Sequence, residues 1–160
     1  MTPNSSPRFP FQPSLVDPVS ETRVWLFDEA LTVVDQTTGD MTMAVARFLV
    51  ETVDGAARHR WPDRKIRFVH DWRSCVRYEV EARERLIEWG RASKPYVAQA
   101  TFQISPDASP FLRIAGTTAV ALLRVLRLPI DMVDDLDPIC RELSARLPVS
   151  PLALAVRVAT

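Results

Sequence analysis

Residues 65–72, Lys-Ile-Arg-Phe-Val-His-Asp-Trp, form a short apolar run that ends in a polar, tryptophan-bearing turn. It leads into a charged helical stretch from about Tyr78 to Arg91. A strand that feeds a helix is half of a βαβ unit, and here the pattern recurs. Tyr96 to Ile104 is strand-like, and Ser109-Pro110 then supplies an N-cap and an N1 proline for a helix reaching about Leu126. Ile130 to Val133 is a last short strand, and Asp137-Pro138 opens a last helix carrying Ile139, Cys140, Leu143 and Leu147. Upstream, Val24-Trp25-Leu26-Phe27 and Leu31-Thr32-Val33-Val34 read as a hairpin turning at Asp28-Glu29. Gly39-Asp40 opens the first helix, with Asp40 as its N-cap and Val45, Phe48, Leu49, Thr52, Val53 and Ala56 as its apolar stripe. The order β-β-α-β-α-β-α-β-α predicts an α/β fold: a small mixed, mostly parallel sheet with flanking helices.

A chain of 160 residues, 47% apolar and 25% charged, is one globular domain with enough length to bury a core. Residues 1–20 carry Pro3, Pro7, Pro10, Pro13 and Pro18 and read as a flexible, extended leader; Phe9, Phe11 and Leu15 are the groups that would lay it on the domain. The domain spans residues 21–147. Residues 148–160 are an apolar tail, in which Leu152 to Val158 alternates like a strand. The first eighteen residues contain no apolar export core, and Arg113, Arg124 and Arg127 interrupt the long apolar run from Phe111 to Leu128. With two cysteines, Cys75 and Cys140, far apart in sequence, the expectation is a cytoplasmic protein with reduced thiols. Basic residues are nearly all arginine, a composition typical of a GC-rich bacterial genome.

The element order, with Phe68-Val69-His70-Asp71-Trp72, Tyr78 and Glu81-Ala82-Arg83, resembles the STAS/SpoIIAA-like family, including bacterial proteins labelled STAS/SEC14-like. The resemblance covers roughly residues 22–146. It implies a small mixed sheet flanked by helices and a non-enzymatic regulator that docks a protein partner. Several family members are switched by phosphorylation at a helix start; others of this fold hold lipids or other apolar ligands. The phosphorylated members carry Asp-Ser-(Ser/Thr)-Gly, whereas this chain reads Asp71-Trp72-Arg73-Ser74-Cys75, so Ser74 is the local candidate phosphosite, beside Arg73 and Arg77.

Ligands of open α/β sheets bind beyond the carboxyl ends of the parallel strands. Those ends carry His70 to Cys75, then Ser105, Asp107 and Ser109, then Asp134 and Asp135. A Cys75–His70 pair is a conceivable nucleophile and base, but no oxyanion motif accompanies it. His70, Asp71, Asp134 and Asp135 have no zinc or EF-hand spacing, and the acids at 134–137 fit a helix start. No cofactor or metal is expected, and no enzymatic activity. From Arg58 to Lys94 eleven basic residues face six acidic ones, an excess of five; a solvated, ion-paired face accounts for it better than nucleic-acid binding. Glu79/Arg83 and Glu81/Arg85 have the spacing of helical ion pairs.

Two functional readings follow. In the first, the protein is a regulatory or scaffolding module that docks a partner, or itself as a homodimer. The second helix has Tyr78, Ala82, Leu86 and Trp89 on one stripe and Val80 and Ile87 opposite, so Val80, Ile87, Trp72 and Arg73 are its candidate partner-binding residues. In the second, it carries or senses an apolar, lipid-like ligand between the sheet and the nearly all-apolar third helix.

Overall fold

The computed structural model describes residues 6–158. Six strands lie side by side in chain order: β1 (Leu15–Val16), β2 (Arg23–Phe27), β3 (Thr32–Gln36), β4 (Ile66–Trp72), β5 (Val97–Ile104) and β6 (Ile130–Met132). β1, β2 and β3 pair antiparallel; β3 to β6 pair parallel. The expected mixed, mostly parallel α/β sheet is therefore present. Because each parallel strand is followed by its immediate neighbour, crossovers of one hand place their helices on one face. That face carries α1 (Met43–Arg47), a π-helical segment (Phe48–Val53) and α2 (Asp54–Arg60), which run on without a break, then α3 (Val80–Ser93) and α4 (Pro110–Val125). α5 (Asp137–Ser144) packs on the opposite face, where Leu136, Cys140 and Leu143 join Trp25, Phe27, Val34 and Val69. Among the described residues no helix is long and apolar enough to cross a membrane.

Local chemistry explains most boundaries. Ser109 accepts from the Leu112 amide at 3.2 Å and Pro110 occupies the first turn of α4, as the Ser-Pro pair predicts. The first helix is capped instead by Thr42, whose hydroxyl accepts from the Val45 amide at 3.3 Å. Asp40, expected in that role, accepts the Arg77 amide at 3.1 Å and ties the loop before α3 to the start of α1. The buried stripe of this long helix is Val45, Leu49, Val53 and Ala57, spaced by four. The π-helical turn widens the period beyond 3.6, which turns Ala57 inward and leaves Thr52 exposed.

Both chain ends differ from the sequence reading. The leader is packed from Arg8 onward; Pro3 lies outside the described residues. Phe9 is 2% exposed, with its ring 5.2 Å from those of both Trp25 and Phe27. The Arg8 side chain is buried against the same face: its Nε lies 2.8 Å from Asp71, an Nη donates to Gln103 at 2.9 Å, and the other Nη reaches Asp137. A buried aromatic and a guanidinium matched to a buried carboxylate outweigh the solvated coil that a proline-rich composition favours. The tail is helical, not strand-like: α6 spans Pro151–Val158. It begins with the same Ser-Pro device as α4, Ser150 accepting from the Ala153 amide at 3.2 Å, and the strand-like alternation is overridden by this start. Ala159 and Thr160 lie outside the described residues.

Truncating Phe9 removes a buried ring wedged between two others. Phe9→Ala is therefore expected to lower stability by about 3 kcal/mol in urea titration; a leader detached from the domain would leave the midpoint unchanged.

Candidate functional site: an apolar cavity between the sheet and two helices

Strand alternation decides what faces the helices. On β4, Phe68, His70 and Trp72 point to the helical layer, while Val69 and Asp71 point to the leader and α5. On β5, Ala100, Phe102 and Ile104 share the helical side. Above them α3 and α4 enclose a cavity of about 120 Å³ that opens to the surface. The β4, β5 and β6 side chains Trp72, Phe102 and Ile130 form its floor. Leu86 and Ile87 form the α3 wall.

The cavity exists because α4 turns small residues inward. Ala115, Gly116 and Ala119 line it in the middle of the helix, between Leu112 at one end and Leu123 at the other. A Cβ built at Gly116 would meet only the Met132 sulfur, at 4.0 Å, so this part of α4 stands off the sheet. At the far end the helices are pinned. A Cβ at Gly90 would come within 3.0 and 3.2 Å of the Leu123 methyl carbons, so α3 and α4 approach closely there and a larger residue would push on Leu123. For scale, an engineered cavity of roughly 150 Å³ lined by aliphatic and aromatic groups stays dry and takes benzene.

The floor is held from the β3 side by a buried carboxylate. Asp35, 1% exposed on β3, is paired in register with His70 on β4. Its two oxygens accept from His70 Nδ1 and from Trp72 Nε1, the latter at 3.0 Å. The His70 and Trp72 rings are 5.0 Å apart, and Trp72 lies 5.6 Å from Phe102. With Nδ1 committed to Asp35, the ring orientation of His70 is fixed. Asp35 was not among the sequence candidates. Its signal was a lone carboxylate in the apolar run Val33-Val34-Asp35, legible only once the strand register is known.

The candidate partner-binding residues do not form one patch. Val80 is 53% exposed in the first turn of α3. Ile87 and Trp72 are half-buried in the cavity wall and floor. Arg73 clasps Asp71 with two bonds of 2.8 and 3.0 Å on the far side of the sheet. Ser74 sits in the turn after β4, six residues ahead of α3, so it is not at a helix start and the dipole argument for a phosphate there does not apply. Of the second apolar stripe of α3, Ile87 faces the cavity and Val80 stays exposed.

His70 and Asp71 point to opposite sides of β4, and among the described residues no three His, Cys, Asp or Glu side chains gather as metal ligands. Cys75 lines the cavity but is only 5% exposed; its thiol donates to the Arg77 carbonyl at 3.0 Å, and burial pushes its pKa up to about 11. Cys140, on the other face, is also raised to about 11 by burial. The basic stretch is largely engaged locally: Arg60 with Asp28, Arg77 with Asp40, Arg85 with Glu51 and Glu88, and Arg58 over the Tyr96 ring. Of the two expected helical ion pairs, neither forms. Arg85 is drawn to Glu51 on the neighbouring helix, and Glu79 accepts the Met43 amide at 2.6 Å at the start of α1.

Both thiols should alkylate about a hundredfold more slowly in the folded protein at pH 7.5 than in denaturant, because the thiolate is the nucleophile. Their raised values also mean that the unfolded chain loses these protons first. Stability should therefore fall as pH climbs from about 8.5 towards 11, which urea titrations across that range would measure.

No protein-family model, curated protein or solved structure matches this chain.

Proposed function

We propose that this protein is a non-enzymatic carrier or sensor of an apolar, lipid-like ligand, built on a STAS-like scaffold and working in the bacterial cytoplasm. The observation that carries the reading is the cavity itself: an open, carbon-lined space of about 120 Å³ between α3, α4 and the sheet. A well-packed core leaves few voids larger than a water molecule, so a space this size is a feature of the sequence and not a packing accident. The chemistry of the walls agrees. Cys75, the only nucleophile suggested by the sequence, is buried and kept protonated. On the floor, His70 Nδ1 and Trp72 Nε1 are committed to Asp35.

Filling the cavity tests this. Ala119 lines it from α4, so Ala119→Phe should place a ring inside. Protein purified gently from its own cells should carry an extractable apolar molecule, seen as removable mass by native mass spectrometry. The Ala119→Phe protein should carry none while unfolding at the same temperature or higher. Equal loading of the two proteins would contradict the reading.

A second reading, the regulatory or scaffolding module that docks a protein partner or itself, draws on a different observation. The outer side of α4 exposes Phe111, Ile114 and Val125, at 72%, 66% and 79%, on one stripe. Ser74 is the candidate phosphosite of this reading. If α4 docks a second copy, Ile114→Asp should convert a dimer to a monomer in sedimentation equilibrium without loss of folded signal; a monomer before and after the substitution would leave the self-docking form of the idea without support.

A further inference from the structure

One cation on the cavity wall is not accounted for by its surroundings. Arg83 lies in the α3 turn nearest the carboxyl ends of the strands and lines the cavity. Its sequence partner, Glu79, is occupied with the Met43 amide at the start of α1. Among the described residues no carboxylate comes within salt-bridge distance of the Arg83 guanidinium, and its Nε is buried without a hydrogen-bond acceptor. The Tyr78 ring lies 5.6 Å from its guanidinium carbon. Arginines nearby differ in this respect: Arg73, Arg77 and Arg85 each hold a carboxylate.

A buried N–H without an acceptor is costly, and a guanidinium offers a planar fork suited to carboxylate or phosphate oxygens. Gly90, seven residues further along α3, marks the other end of the cavity, about 10 Å away along the helix axis. The Arg83 guanidinium thus lies beside one end of a cavity whose exposed lining is almost all carbon. Resting on the ligand-binding reading above, we infer that the ligand is an anionic amphiphile, its head group paired with Arg83 and its alkyl tail running between α3 and α4 towards Gly90. A fatty carboxylate and the phosphate of a lipid share this chemistry.

Calorimetric titration of the full chain with 1-octanol, octanoate and octyl phosphate separates the terms. The native protein should bind at least one of the two anions about tenfold more tightly than the alcohol. The tighter anion identifies the head group as carboxylate or phosphate. Arg83→Gln should bring that anion down to the level of the alcohol while unfolding at the temperature of the native protein, which certifies that the fold is kept. Equal affinity for all three in the native protein, or an anion preference that survives Arg83→Gln, overturns the assignment to Arg83 while leaving the cavity's role intact. No binding of any of the three overturns both.

Discussion

A helix that lays alanine and glycine against a sheet cannot fill the space beneath it, and the rest of this site depends on that mismatch. α4 carries large side chains at Leu112 and Leu123, where it touches its neighbours, and Ala115, Gly116 and Ala119 between them. Contact at both ends prevents the helix from settling inward to close the gap. The Gly90–Leu123 approach fixes one of those ends, since even a methyl on Gly90 would press on Leu123. The void is thus enforced by two opposite uses of small residues: close approach on α3 and stand-off on α4.

A cavity is useful only if its floor does not collapse into it, and β4 is stiffened from both sides. Towards the helices, Asp35 ties down His70 and Trp72. Towards the leader, Asp71 lies between Arg8 and Arg73. Polar groups buried in this way gain from full pairing and would be expensive to strand. The same strand therefore presents apolar surface to the cavity while its carboxylates and their partners hold neighbouring strands and the N-terminal segment in place. Packing of Phe9 against Trp25 and Phe27 completes the lower layer.

The sheet and its crossovers were legible because apolar strand runs alternate with helical stretches, and α4 begins with a recognisable device, Ser109-Pro110. Local patterns mislead where a distant group competes. Asp40 looks like an N-cap, but Arg77 takes it; Glu79 and Arg83 have ideal spacing, but the start of α1 takes Glu79. The strand-like alternation from Leu152 hides a helix whose start, Ser150-Pro151, repeats a signal present elsewhere in the chain. A space between the sheet and the third helix was foreseeable from that helix's apolar circumference. That Asp35 supports it, and that Arg83 lines it with no carboxylate partner among the described residues, depends on register and on long-range pairing that no local window contains.

On the proposed reading, the apolar space under α4, and not its exposed outer stripe, receives the ligand. Methyl-resolved NMR during titration with 1-octanol tests this most directly. Shifts should be confined to methyl groups that line the cavity, on Ala115, Ala119, Leu123 and Ile130, with Ile114 and Val125 unmoved. Shifts concentrated on Ile114 and Val125, with the lining methyls silent, would contradict it.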